Sequence, residues 1–318
     1  MKKLFLLLAA VGMIFTACDK ENFGNNGNPT EQPGNGNGGG NGSGGSNNGE
    51  VSDPDNPLNN KKCASNEILY ISKSCLPMEL GTYDGWGANL TSNTYEDGVG
   101  RLKFDANVTS IPSEAFKEND LLRYIKMPNT IISIGSSAFY GCSSLTSVTI
   151  PDSVTAIEDY AFEYCTSLPV IDGIRYADTC LVEAVDETRT SYSIKPGTRF
   201  IGSSAFYGCS SLTSVTIPDS VTAIGYYAFS WCSSLTSITI PDSVTSIASG
   251  AFEYCTSLKE VYCKPTTPPT ALAKYGYWGA FYDNASGRKI YVPRNSVSAY
   301  KTAKNWSNYA DYIVGYDF

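Results

Sequence analysis

Residues 145–167 read LTSVTIPDSVTAIEDYAFEYCTS, and the phrase returns almost unchanged as LTSVTIPDSVTAIGYYAFSWCSS over 212–234 and as LTSITIPDSVTSIASGAFEYCTS over 235–257. A period in the 20s built on Leu-x-x-Val-x-Ile marks a unit that cannot bury its apolar side alone and must stack on its neighbours. The expectation is a solenoid of short strands and irregular turns. Such a fold places function on an extended surface rather than in a pocket, which favours binding over catalysis.

Working outward, the Ala-Phe pair recurs at Phe116, Phe139, Phe162, Phe206, Phe229, Phe252 and, irregularly, Phe281. Units accordingly begin at residues 99, 122, 145, 168, 212, 235 and 258, with a long one at 168. Arg189–Ser211 keeps the 23-residue register, so the anomaly is LPVIDGIRYADTCLVEAVDET over 168–188, whose alternation predicts a hairpin-like rung. Within a unit, Leu145, Val148, Ile150, Val154, Ile157, Ala161, Phe162 and Cys165 are expected to point inward. Pro151 ends the strand because it lacks a donor, and Asp152-Ser153 makes the turn. Stacked Phe139, Phe162, Phe206, Phe229 and Phe252 are expected to form one continuous aromatic spine. Cys142, Cys165, Cys209, Cys232 and Cys255 share one repeat position, which predicts a ladder of buried thiols. Cys63 and Cys75 are candidates for a disulfide in the N-terminal cap.

The IPDSVTxI signature followed by Ala-Phe and Cys, together with the L-x-x-V-x-I strand, resembles the bacterial leucine-rich repeats of BspA-like surface proteins of the Bacteroidetes type. The resemblance covers roughly residues 99–265 and implies a leucine-rich-repeat solenoid, α/β in class, with N- and C-terminal caps. The closing stretch, from PTTPPTA at 265 through KIYVPRNSVSAYKTAKNWSNYADYIVGYD, is similar to the end of many such proteins. Residues 62–98 are expected as the first cap, 99–264 as the array and 265–318 as the second cap. Ile290–Val292 should supply a last strand, and Ser296–Trp306 a short covering helix.

The N-terminus combines Lys2 and Lys3, an apolar run over 4–17 and then Cys18, an export-signal pattern too short to span a membrane. Its end resembles the lipobox of bacterial lipoproteins, which implies removal of residues 1–17 and lipidation of Cys18. Residues 18–61 are then expected as a Gly/Asn-rich disordered linker, poor in groups to bury. Asp19-Lys20-Glu21 looks similar to surface-export signals of Bacteroidetes, so the expected address is the cell surface at the outer membrane, with the lipid as the membrane attachment.

The chain contains no histidine and carries a net charge of −8. Without histidine, Ser-His-Asp and Cys-His nucleophile pairs and the usual zinc sites are excluded. Acidity without a basic stripe argues against nucleic acid. Carboxylate pairs such as Glu158-Asp159 and Asp186-Glu187 lack the cleft that glycoside chemistry needs, because a flat rung offers none. No enzyme, metal or cofactor is expected.

Three surface features remain. Thr146, Ser147 and Thr149, repeated at 213, 214, 216 and at 236, 237, 239, form a hydroxyl-rich strand face suited to water or to a partner. Arg123, Tyr124 and Lys126 at one end, Tyr262 at the other, and Arg175 and Tyr176 on the unusual rung are the candidate ligand-binding residues, because Arg and aromatics dominate interfaces. Ser153, Ser220 and Ser243 in Asp-Ser-Val resemble the acceptor of Bacteroidetes O-glycosylation, although the same residues make the turn. The resemblance implies adhesion to host matrix or mucosal glycoproteins, or to other bacteria. The competing role is a surface glycan-binding accessory for nutrient capture, to be decided by whether Tyr140, Tyr207, Tyr226, Tyr227 and Trp231 stand exposed in a row.

Overall fold

A computed structural model describes residues 56–271 and 279–318 of the chain; the expected leader, Cys18 and the linker as far as residue 55 lie outside the described residues. Each rung has three sides. On the first, Leu122–Lys126 and Ser147–Thr149 pair in parallel with Tyr124 beside Ser147 and Ile125 beside Val148, a step of one repeat. On the second, Ser133–Ile134 and Ala156–Ile157 pair in the same step. On the third, the N–H groups of Ser137, Phe139 and Gly141 donate to the carbonyls of Asp159, Ala161 and Glu163 in the next rung. Donors on that side face one direction because the positions bracketing Ala-Phe take left-handed backbone: Ser137 and Gly141, Tyr160 and Tyr164, Ser204 and Gly208, Tyr227 and Trp231, Gly250 and Tyr254. The molecule is a leucine-rich-repeat solenoid with few helices.

Inside, Leu145, Val148, Ile150, Val154, Ala161, Phe162 and Cys165 are buried as the pattern requires, and most of their equivalents in the other regular rungs follow. Ile157, also expected inward, and Val215 are only half-buried. Each inward thiol fills a small slot and donates to a carbonyl of the preceding rung: Cys142 to Phe116, Cys165 to Phe139, Cys232 to Phe206 and Cys255 to Phe229, at 3.0 to 3.2 Å. These cysteines are free thiols, as are Cys180, Cys209 and Cys263. Cys63 is also free and donates to the Glu67 carbonyl, so the Cys63–Cys75 staple is not made.

The aromatic spine is not continuous. Phe116, Phe139 and Phe162 stack at 5.1 and 5.0 Å, and Phe206, Phe229, Phe252 and Phe281 at 4.9, 5.1 and 5.3 Å, but the two runs are separate. Between them the 168–188 stretch folds as an antiparallel meander of Val170–Ile171, Ile174–Ala177 and Cys180–Ala184. Ala184 takes the place of a spine phenylalanine, since its N–H donates to Ala205 as Phe206 donates to Ala228. Tyr192 covers the resulting gap, with its ring 5.4 Å from Phe206.

The Cys180–Ala184 strand then resumes parallel stacking on Phe200–Ile201, and the two strands serve two cores at once. Leu181 and Ile201 join the C-terminal core, whereas Cys180, Val182 and Phe200 on the opposite face close the core of the N-terminal stack. Arg199 stands where Thr222 stands one rung later, and it spans the junction: its guanidinium donates to the carbonyls of Pro151, Asp152 and Val154.

Both ends depart from the simple reading. Val99, the first residue of the first expected unit, opens a strand that pairs antiparallel with Glu67–Ser72, and Glu67–Ser72 is also antiparallel to Leu122–Lys126. The chain is already packed before residue 61, because Leu58 is fully buried with Leu69, Ile71, Val99 and Tyr124. At the other end Ile290–Val292 is not the last strand. Ile313–Tyr316 lies outside Lys289–Pro293 in a four-stranded parallel sheet, because the chain turns back after the short helix Val297–Thr302. Tyr300 and Trp306 plug the core end, donating to the carbonyls of Pro265 and Pro269.

Two outcomes follow from this packing. Phe229→Ala removes a ring stacked on both faces and is expected to cost about 3–5 kcal/mol in a urea unfolding curve. Burial pushes the Cys180, Cys209 and Cys263 thiols up to about 12, and hydrogen bonding with the adjacent thiols Cys142 and Cys255, followed by burial, raises Cys165 and Cys232. In a dithiobisnitrobenzoate assay at about pH 8, near the ordinary thiol pKa, these groups should stay silent until denaturant is added.

Candidate functional site

The structure divides the candidate ligand residues sharply. Tyr124 and Tyr176 are buried, at 3% and 1% exposure, so neither ring can meet a ligand. Tyr176 lies in the C-terminal core, whereas Tyr124, on the outward phase beside Ser147, is covered from outside by Leu58 and Leu69. Lys126 is committed to the carbonyls of Leu58 and Asn59. Arg175 pairs with Glu183 at 2.7 Å and donates to the carbonyls of Thr166 and Leu168, which fastens the hairpin to the rung before it. None of these four forms the ligand surface expected of it: both the Leu122–Lys126 strand and the unusual rung use their charged and aromatic residues as joints. Arg123 and Tyr262 remain at the surface, with Arg123 lying over the edge of Tyr124.

The acceptor serines are also engaged. The hydroxyls of Ser153, Ser220 and Ser243 donate at 2.7, 2.8 and 2.7 Å to the carbonyls of Ile131, Thr198 and Val221, one rung back in each case. Their recurrence is thus explained by rung-to-rung bonding at the turn, and all three are half-buried.

Tyr262 belongs to a larger cluster on the strand side. Parallel register places Glu260 beside Lys289, and Tyr262 beside Tyr291. The two rings stack at 4.9 Å, Tyr316 meets both edge-on at 5.6 and 5.4 Å, and Phe318 continues from Tyr316 at 5.0 Å. Val314, Tyr316 and Phe318 are exposed on the outermost strand and just beyond it. Tyr291, Tyr316 and Phe318 were missed from the sequence because a longer loop breaks the period. Aligning EVYC at 260–263 with KIYV at 289–292 as neighbouring strands recovers the Tyr262–Tyr291 pair.

A second aromatic surface runs along the turn side. Tyr164, Tyr207, Trp231 and Tyr282 are exposed, and Trp231 stacks on Tyr254 at 4.4 Å while Tyr254 meets Tyr282 edge-on at 5.8 Å. Of the five rings expected in a row, Tyr207 and Trp231 are exposed, Tyr226 is buried, Tyr227 is half-buried and Tyr140 pairs with Tyr164 in a separate cluster. The row that forms is Trp231, Tyr254 and Tyr282.

The expectation that the array offers no cleft is overturned. Where the meander interrupts the second side, a groove of about 670 Å3 opens, with Ile157 and Tyr160 on one wall and Phe200, Ala223, Ala248 and Lys304 along the other. Its lining carboxylates Glu158, Asp159 and Glu163 all come from one rung. Glu158 accepts from both the N–H and the hydroxyl of Ser136, and burial, then the nearby charge of Glu183, raises Glu163. A glycosidase places its two carboxyl groups on either side of the bond it cleaves, and the opposite wall contributes Gly202, Ser203, Gly225 and Ser249 instead. Among the described residues, no group of three or more His, Cys, Asp or Glu could hold a metal ion.

The BspA type leucine rich repeat region matches this sequence in 6 copies over residues 94–175 and 186–305, and the interval between falls in the meander. Among solved structures, the leucine rich repeat protein of T. pallidum is similar at 29% identity over 51% of this chain and 67% of that one, with a TM-score of 0.29. A leucine rich cell surface protein from Faecalibacterium prausnitzii A2-165 shows 32% identity over 55% of this chain and 46% of its own, with a TM-score of 0.29. A leucine-rich repeat protein from Bacteroides ovatus shows 24% identity over 63% and 61% of the two chains, also with a TM-score of 0.29. The chain therefore spans less than half of the Faecalibacterium protein and about two thirds of the T. pallidum one. No curated protein matches the sequence. With more than half of its residues inside the repeat match, from the antiparallel entry strands to the C-terminal plug, the chain belongs to the BspA type leucine rich repeat family.

Proposed function

We propose that this chain is a non-enzymatic binding protein of the bacterial cell surface that attaches to other proteins. Its partners would be carried on host matrix, on mucosal glycoproteins or on neighbouring bacteria. The observation that carries this reading is the Tyr262, Tyr291, Tyr316 and Phe318 cluster on the open strand side, bordered by Glu260 and Lys289. Rigid stacked tyrosines with charged neighbours are the composition of protein hot spots. The surface address is supported by the related Faecalibacterium protein, a leucine rich cell surface protein. The leader pattern ending at Cys18 adds lipid anchoring in the outer membrane to the proposal. No helix among the described residues is long and apolar enough to cross a membrane.

The exposed ring row on the turn side speaks for the glycan-capture alternative, since sugars stack on aromatic faces. Trp231 and Tyr254, however, lie face to face with each other, as do Tyr262 and Tyr291, so each pair spends one face of each ring internally. These pairs offer single ring faces with hydroxyls and charged neighbours beside them rather than a continuous aromatic platform, which suits a protein better.

Binding of the protein to immobilised matrix proteins, mucins and isolated glycans separates the readings. Saturable binding to a protein, weakened about tenfold or more by Tyr262→Ala with Tyr291→Ala, is expected; binding confined to glycans would sink the proposal. For the anchor, Cys18→Ser should abolish incorporation of labelled palmitate in cells and release the protein from membranes. Labelling that survives this change rules out lipidation at Cys18.

A further inference from the structure

One position of the rung repeats along the turn side, two residues after the spine phenylalanine, always in left-handed backbone: Glu118, Gly141 and Tyr164 in the first stack, then Gly208, Trp231, Tyr254 and Asp283 in the second. Glycine is the unstrained choice there, and a bulky side chain carries a backbone cost. Trp231 nevertheless sits there with φ 64° and is 46% exposed, so burial does not offset the cost. Strain of this kind, in a large exposed ring, is the sort that collects at ligand contacts.

The neighbouring rungs give the site its shape. Tyr254 covers one face of the Trp231 indole. The other face looks toward the preceding rung, where the equivalent residue is Gly208 and a Cβ placed on it would meet no atom within 4 Å. Adjacent rungs are about 4.8 Å apart, so the missing side chain leaves a slot one planar group thick, with exposed Tyr207 beside it.

The charge around the slot is negative. Ala184 donates its N–H to Ala205, and the Tyr192 hydroxyl donates to the Asp186 carbonyl while its ring lies 5.4 Å from Phe206. The exposed Asp186-Glu187 corner therefore lies on the meander side of the Gly208 rung, and the charges of both carboxylates, after burial, also act on the Cys209 thiol. Hydrogen bonds from Thr188 hold Asp186 below the usual carboxylate range, so it is ionised at neutral pH. Asp283 ends the row on the far side of Tyr254. The nearby cation, Arg189, lies 4.7 Å over Tyr192 and donates to the Asp172 carbonyl, and its charge also helps to hold Asp186 low, so the corner sets two carboxylates against one cation.

We propose that the slot between Trp231 and the Asp186-Glu187 corner binds the guanidinium group of an arginine presented by a basic protein segment. A guanidinium is flat, stacks on an indole face and pairs with carboxylates through its edge, which an ammonium cannot do in one geometry. The acidity of the chain, −8 overall, favours the approach of such a partner. The assignment deepens the protein-binding reading and rests on it for the class of partner.

The test is calorimetric titration of the full chain with deca-arginine and with deca-lysine at physiological salt. Deca-arginine should bind saturably and about tenfold or more tighter than deca-lysine. Trp231→Gly and Gly208→Tyr should each remove that preference, while Tyr164→Gly, in the other stack, should leave it intact. These substitutions install residues that other rungs already carry at the same position, and a circular dichroism melt confirms folding. Should Gly208→Tyr fail to fold, Trp231→Gly decides alone. Equal binding of the two peptides, or a preference that survives Trp231→Gly, overturns the slot. If that happens while the matrix and mucin panel still shows a protein ligand, the protein-binding reading stands without it. Arginine-selective binding that depends on Trp231, with no protein ligand in the panel, overturns the reading and keeps the slot.

Discussion

The constraint on which this structure depends is that each residue must be a neighbour of its counterpart one repeat later. Parallel main-chain hydrogen bonds on all three sides of the rung impose it: Tyr124 with Ser147, Ser133 with Ala156, Phe139 with Ala161. Once that register holds, like stacks on like. Phenylalanines stack face to face, thiols line up under carbonyls, and the Ser of each turn reaches the carbonyl one rung back. The near-identity of the repeats is what such a lattice asks for, because a side chain that fits one slot fits the next.

That same regularity decided how much could be read in advance. Inward residues, the thiol ladder and the strand breaks at proline were legible because each is set by position within the repeat. The surface was less legible, since strand alternation says which phase a residue occupies only when the register is known. Tyr124 and Tyr176 look like interface residues by type, yet Tyr176 is turned into the core and Tyr124 is covered from outside by the segment around Leu58 and Leu69. Tyr291 and Tyr316 look like cap residues by position, yet parallel pairing brings them beside Tyr262. The groove escaped notice because it is made by a missing neighbour: Ile157, buried at the equivalent Ile134, is left half-exposed where no strand follows it.

Function follows the departures from the lattice. Regular rungs supply a stiff scaffold with a hydroxyl-rich strand side, and the distinctive chemistry sits where the period slips, at the C-terminal sheet, at the glycine beside Trp231 and at the meander. Polar residues at those places fall into two groups. Arg175 and Arg199 are consumed in joining segments, whereas Asp186, Glu187 and the tyrosines of the last strands face outward.

The meander has one more effect. Because neighbouring residues of the same strands belong to different cores, Leu181 to one and Cys180 and Val182 to the other, neither stack can peel away without exposing the apolar face that seals its partner. Repeat arrays ordinarily fray rung by rung from their ends. Here the interruption that divides the aromatic spine acts as a weld, so melting that reaches this strand from either side is transmitted across it, and two short arrays lose their order as a single cooperative body.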